Sequence, residues 1–215
     1  ELRRAADCTH RLYGENTTIL AALGFINQAY FHLWQLFAQR GKEVQNEAAN
    51  LSRQCLGFEG ILDGQSKDMN YYFVYNDGSL VSEIAIKKTG SLIRLCLMLP
   101  AILTEASRYE KFHLSNLADD WGKAYQIADD LKDIYYGEGV SGKTTHRDAE
   151  LCRPNMALAI GESAAASILN GLLEKAEGRI AALEKSNPKA YPILRQFQTQ
   201  FTEKAKPLLL AFAAA

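Results

Sequence analysis

Gln126-Ile127-Ala128-Asp129-Asp130-Leu131-Lys132-Asp133 places one amide and three carboxylates within eight residues. At ~100° of rotation per residue in an α-helix, Gln126, Asp129, Asp130 and Asp133 fall within an arc of roughly 100°. Carboxylates gathered on one face repel unless a cation sits among them, and a hard, oxygen-preferring ion such as Mg²⁺ suits that donor set. A solvated acidic face is the competing reading, and Asp119–Asp120 on the same stretch is assigned to it.

The element that must carry these groups runs over Ser115–Tyr136, which has no proline and a single glycine, Gly122. Leu117, Ala124, Ile127, Leu131 and Ile134 recur at helical spacing, so this helix buries one flank and turns its acidic arc beside it. Upstream, Asn16–Ala38 is apolar on one broad face (Ile19, Leu20, Leu23, Ile26, Tyr30, Leu33, Trp34, Phe37) and stops at Arg40-Gly41. A second helix is expected over Lys42–Leu62, followed by Gly64-Gln65-Ser66-Lys67-Asp68. A third pattern runs from Ser79 to the Pro100 region and contains Lys87-Lys88-Thr89-Gly90. A glycine inside a helix costs about 1 kcal/mol relative to alanine, so Gly90 predicts a bend or a close approach. Such a bend aims Lys88 and the Thr89 hydroxyl inward, while Lys87 reads as a surface lysine. Gly139–Pro154 is a polar, glycine-containing loop, and two helices follow, over Glu162–Glu184 and Pro188–Ala211, the second opened by Asn187-Pro188. Tyr71–Tyr75 is the one strand-like run, and a loop or frayed helix end fits it as well. The expectation is one all-α domain over residues 1–215.

Composition narrows the function classes. With 215 residues, 47% of them apolar, the chain can bury a large core. A net charge of −1 without a basic run argues against nucleic acid as a partner. No apolar run approaches the ~20 residues needed for a membrane span. Cys8, Cys55, Cys96 and Cys152 lack metal-ligand spacing and read as free thiols of a cytoplasmic protein. The four histidines (His10, His32, His113, His146) share no ligand spacing and read as structural or exposed.

Several segments, in order, resemble the trans-isoprenyl diphosphate synthases, the head-to-tail prenyltransferases. Gln126–Asp133 resembles their second aspartate-rich motif, Lys88-Thr89-Gly90 their Lys-Thr-Gly segment, and Gly64-Gln65 with Asp68 their Gly-Gln-x-x-Asp. Gly142-Lys143, Asp148 and Arg153-Pro154 resemble the loop that closes over diphosphate. Arg3-Arg4, with Thr9-His10 and Tyr13-Gly14-Glu15, resembles the segment after the family's first aspartate motif. That first motif would fall just before Glu1. The resemblance therefore implies that an N-terminal part of the fold, with its Gly-Lys-x-x-Arg segment, lies outside this sequence, or that the chain is a half-site homologue. Ala22-Leu23 replaces the family's Gly-Asp, Lys132 an apolar residue and Arg153 a lysine.

The resemblance implies an isoprenoid-synthase-type bundle of roughly ten helices around a central cavity, and a homodimer. It implies a Mg²⁺-assisted condensation of isopentenyl diphosphate with an allylic prenyl diphosphate. The product is a linear all-trans prenyl diphosphate, of farnesyl to geranylgeranyl length. Lys88, Thr89, Gln126 and Lys143 are its catalytic candidates. Arg3, Arg4, Lys88, Lys143 and Arg153 are candidate diphosphate contacts, with Arg4 on isopentenyl diphosphate. Asp129, Asp130 and Asp133 are the metal candidates, with Asp129 and Asp133 as first choices and Asp130 behind them or linked through water. A terpene cyclase of the same fold and a catalytically silent subunit of a heteromeric synthase are the alternatives.

Overall fold

A computed structural model describes residues 2–3, 6–70, 77–135 and 153–212. The architecture is all-α. A two-residue antiparallel ladder, β1 (Leu2–Arg3) with β2 (Ala6–Asp7), precedes α1 (Thr9–Tyr13), and is too short to leave an alternating pattern in sequence. Then come α2 (Glu15–Phe37), α3 (Lys42–Leu56), α4 (Ile61–Asn70), α5 (Gly78–Ala85), a π-helical turn (Ile86–Gly90) and α6 (Ser91–Leu103). The long α7 (Arg108–Tyr135) is followed by α8 (Met156–Ile160), α9 (Glu162–Ser186) and α10 (Pro192–Phe212). Among the described residues, no helix is long and apolar enough to cross a membrane.

The centre is α7. Leu114, Leu117, Ala118, Trp121, Ala124, Ile127, Ala128 and Leu131 are buried at three- and four-residue steps, packed on α9, α6 and α10. Each fully buried leucine or isoleucine there contributes about 1.5–3 kcal/mol. The helix begins seven residues before the expected Ser115, because Ser107 and Glu110 form a reciprocal cap. The Glu110 carboxylate accepts the Ser107 N–H at 2.9 Å, and the Ser107 hydroxyl accepts the Glu110 N–H at 3.2 Å. Tyr191 donates its hydroxyl proton to the other Glu110 oxygen at 2.7 Å, tying this helix start to the turn before α10.

Two further expected boundaries change, and one helix is new. The helix drawn over Lys42–Leu62 is two, since the chain folds back at Gly57-Phe58-Glu59-Gly60. A Cβ on Gly57 would lie 2.3 Å from the Arg53 carbonyl oxygen, and one on Gly60 2.3 Å from that of Cys55. The last helix opens at Pro192, not Pro188. Residues 188–190 form a turn, and Pro192 takes the first helical position, where a missing N–H costs nothing. The short α8 was not expected; Asn155 caps it by accepting the Leu158 N–H at 3.0 Å. The strand-like Tyr71–Tyr75 and most of the Gly139–Pro154 loop lie outside the described residues.

Candidate active site

The expected bend is a π turn, and the expected close approach is also there. At Ile86–Gly90 the helix widens between α5 and α6, and its glycine meets the glycine of α7. A Cβ on Gly122 would stand 2.6 Å from the Gly90 Cα and 3.0 Å from its N, so only hydrogen at position 122 permits this crossing. On the other side α4 approaches as closely, and a Cβ on Gly64 would lie 2.3 Å from the Lys88 N. Two glycines outside the turn thus clamp it between α4 and α7.

The clamp joins the sequence motifs. Lys88 Nζ pairs with Asp68 at 2.8 Å, and Asp68 is buried. The Thr89 Oγ1 lies 3.5 Å from the Gln126 Oε1, at the outer limit of a hydrogen bond. Gln126 Nε2 donates to one Asp130 oxygen at 2.9 Å, and the Met156 backbone N–H donates to the other at 2.7 Å. Asp130 is 1% exposed, whereas Gln126, Asp129 and Asp133 are half-buried along the same arc. Arg153 is exposed and three residues upstream of Met156, so the Met156–Asp130 bond keeps it within about 10 Å of the aspartate end of α7. Arg4 and Lys143 lie outside the described residues, and so does the Arg3 side chain.

Lys87 turns away. It bonds Asp63 at 2.5 Å and Glu83 at 2.9 Å, and Lys67 bonds the same two carboxylates at 3.2 and 2.7 Å. The hydrogen bond from Lys87 holds the Asp63 carboxyl below its ordinary range, that from Lys67 does the same for Glu83, and Glu83 pushes the Lys67 ammonium upward. This charge-balanced surface cluster stabilises the α4–α5 contact only modestly.

Asp119 and Asp120 are not a solvated face. Arg94 bonds Asp119 at 2.5 Å and the Ser115 hydroxyl at 2.5 Å, and Asp120, 8% exposed, pairs with Arg179. Sequence reasoning also had no signal for Met156, whose contribution is a backbone N–H. The role of Asp68 as the partner of Lys88 was not assigned.

Among the described residues, no three His, Cys, Asp or Glu side chains converge into a self-sufficient metal cage. The donor set of Asp129 and Asp133 suits Mg²⁺ instead, which takes one or two carboxylates and completes its octahedron with phosphate and water oxygens.

Comparison with known proteins identifies the family. A family model described as polyprenyl synthetase matches residues 1–187. The chain belongs to the polyprenyl synthetase family. It is 31% identical over 152 residues to a geranylgeranyl diphosphate synthase of Pseudescherichia vulneris, covering 69% of this chain and 47% of that protein. It is 27% identical over 196 residues to a dimethylallyltranstransferase of Fischerella ambigua, covering 90% and 56%. The chain thus spans about half the length of these curated relatives. Among solved structures it matches a Helicobacter pylori geranyltransferase complexed with magnesium and isoprenyl diphosphate, at TM-score 0.74 and 23% identity. That match covers 100% of this chain and 66% of the other. A Legionella pneumophila geranyltransferase matches at TM-score 0.75 and 20% identity, covering 95% and 66%. At these identities the structures show the shared helical fold of this polyprenyl synthetase chain.

Proposed function

We propose that the protein is a prenyltransferase that condenses isopentenyl diphosphate with an allylic prenyl diphosphate, giving a linear all-trans prenyl diphosphate of farnesyl to geranylgeranyl length. The observation that carries the reading is the Gly90–Gly122 crossing, which brings Lys88-Thr89 and Gln126–Asp133 to one place. The names of the curated relatives support the same reaction class.

In the reaction, the allylic C–O bond breaks and its electron pair leaves with the diphosphate. The isopentenyl double bond then forms the new C–C bond to the allylic carbon, and a proton departs to the released diphosphate. Charge grows on the leaving group, where Lys88, Lys143, Arg3 and Arg153 would contact it. Arg4 would hold isopentenyl diphosphate. The Gln126 carbonyl and the Thr89 hydroxyl would face the cationic carbon, and apolar helical faces would exclude water from it. Asp129 and Asp133 would hold Mg²⁺, which neutralises diphosphate charge when bound.

A homodimer is expected from the resemblance, and α2 offers an apolar face that a second copy, or the rest of a fold of which the chain spans about half, would cover. Ile19, Leu20, Leu23, Phe25 and Ile26 are each more than half exposed, and only the end of α2 at Phe37 packs into the core. A helix so apolar requires cover. Light scattering that finds only monomer at micromolar concentration would count against the dimer. The free Cys8, Cys55 and Cys96 support a cytoplasmic setting. The deciding experiment incubates full-length protein with isopentenyl diphosphate and each allylic primer, with and without Mg²⁺, and sizes the products. No elongation with any primer would refute the reading.

A further inference from the structure

A cavity opens on the flank of α7 that adjoins the acidic arc. About 640 Å³ in volume, it is walled by the start of α5, by Lys123 and Ile127 of α7, by α8 and by the middle of α9. Small-molecule sites ordinarily measure about 300–1,000 Å³. None of Lys88, Thr89, Gln126, Asp129 and Asp133 lines it. Met156 is the partition, since it borders the cavity while its N–H donates to Asp130 at 2.7 Å.

The walls divide by chemistry. Ile127, Met156, Ile160, Ile168 and Leu172 make one part aliphatic. Lys123 and Lys175 supply two positive charges, and Ser82 a hydroxyl. Ser79 also lines the cavity, but its proton goes to Asp77 at 2.7 Å. The same Asp77 oxygen accepts the Ser79 and Leu80 N–H groups at 3.0 Å, so that carboxylate is engaged by the start of α5. Among the described residues neither Lys123 nor Lys175 bonds a carboxylate, whereas Lys67, Lys87 and Lys88 each do. Gly171 keeps the space open, with nothing within 4 Å of a Cβ built there.

We propose that this cavity binds an amphiphile with a phosphate head and a single aliphatic tail, at a site separate from the acidic arc. A phosphate monoester carries about −1.5 to −2 charge near pH 7, which two ammonium groups match. Lys123 is half-buried, so its attraction to an anion is screened less than that of exposed Lys175. Ser82 can donate to a further phosphate oxygen. The tail covers the aliphatic wall, and each methylene it buries tightens binding about fourfold. Among the described residues no aromatic ring lines the cavity, so nothing there would stack on a nucleotide base. The site stands whether or not the prenyltransfer reading does.

Decyl phosphate, below its micelle concentration, is the probe. It is titrated calorimetrically into full-length protein in EDTA, so that no Mg²⁺ bridges it to the aspartates. Saturable one-site binding is expected. Lys123→Gln should weaken it on the order of tenfold, and Lys175→Gln about threefold. Gly171→Leu fills the cavity and should abolish binding. Denaturant unfolding should show no loss of stability, because a helix prefers leucine to glycine. Lys88→Gln, beside the arc, should leave the affinity unchanged. No saturable binding, or binding that survives Gly171→Leu and both lysine substitutions, would overturn the proposal. Binding lost as much in Lys88→Gln would overturn it too, by placing the probe among the prenyltransfer groups. Inorganic phosphate or decanol binding as tightly as decyl phosphate would remove the need for a tail or a head. Vesicles containing phosphatidic acid separate the two sources of this chemistry. Capture that Gly171→Leu abolishes supports a lipid headgroup, and decyl phosphate binding without capture supports a free amphiphile.

Discussion

Replacing Gly122 with alanine should separate activity from stability. The added Cβ would meet the Gly90 Cα at 2.6 Å, where apolar carbons ordinarily settle at about 3.5 Å or more, so backbone must move by about 1 Å. Both partners are helix backbone, which cannot swing aside as a side-chain tip can. Overpacking of this kind costs about 1–3 kcal/mol. Alanine in place of glycine returns about 1 kcal/mol of helix propensity. The net loss of stability is therefore small, about 0–2 kcal/mol. Activity has no such compensation. The Thr89–Gln126 contact already stands at 3.5 Å, and opening the crossing carries it beyond hydrogen-bond reach. A misplacement of about 1 Å is enough to cost on the order of 10²-fold in turnover. Full-length protein would be compared by denaturant unfolding and by elongation of an allylic primer. Gly178→Ala is the control, because nothing lies within 4 Å of a Cβ there; it should gain stability and keep full activity. A Gly122→Ala protein as active as the unsubstituted one would refute the claim that this crossing sets the site.

Asp129→Asn should lower turnover by on the order of 10²-fold, with partial recovery at high Mg²⁺. Asp119→Asn loses only its bond to Arg94 and should cost less than about 1 kcal/mol, with no change in Mg²⁺ dependence; identical Mg²⁺ titrations of the two variants would remove Asp129 from the metal site. Asp68→Asn removes the carboxylate that aims Lys88, and should raise KM for the allylic diphosphate about tenfold, the worth of one ~1.4 kcal/mol contact; an unchanged KM would detach Lys88 from substrate binding. Glu110 has its pKa lowered by the Ser107 hydroxyl first and by Tyr191 next. A depressed carboxyl contributes stability that is full above the ordinary 4.5 and is lost as pH falls through the folded value. Tyr191→Phe should therefore flatten the loss of stability on acidification below that pH, and parallel curves for the two proteins would dismiss the pair.

What could be read from the sequence was local. The periodicity of Leu117, Ala124, Ile127 and Leu131 fixed the buried flank of α7, and with it the acidic arc. The energetic cost of Gly90 inside a helix flagged the turn that aims Thr89. What escaped was set by distant partners or by backbone. Asp119 and Asp120 look like a solvated pair because Arg94 and Arg179, which hold them, stand 25 and 59 residues away in the chain. The fold-back at Gly57–Gly60 depends on carbonyls that a side chain would strike, and glycine alone does not say which contact it is avoiding. The Met156 N–H is a group every non-proline residue has, so nothing in its identity announces a bond to Asp130.

Three pairs of neighbours show why motif letters alone assign too much. Lys87 and Lys88 are chemically identical and adjacent, yet one enters a charge-balanced surface cluster with Asp63 and Glu83 while the other reaches buried Asp68. Asp119 is held at the margin by Arg94, and Asp120 is buried against Arg179. Asp129 stays on the half-buried arc, and Asp130 is committed to Gln126 and Met156. In an α-helix one residue step is a rotation of about 100°, enough to exchange solvent for core or a substrate-facing arc for a neighbouring helix. A carboxylate directed into the core must find protein donors, since burying it unpaired is prohibitive, and those donors then prevent it from serving an exchangeable ligand. Asp129 and Asp133 stay half-buried at the edge of the core, the position from which they are proposed to meet an exchangeable ligand.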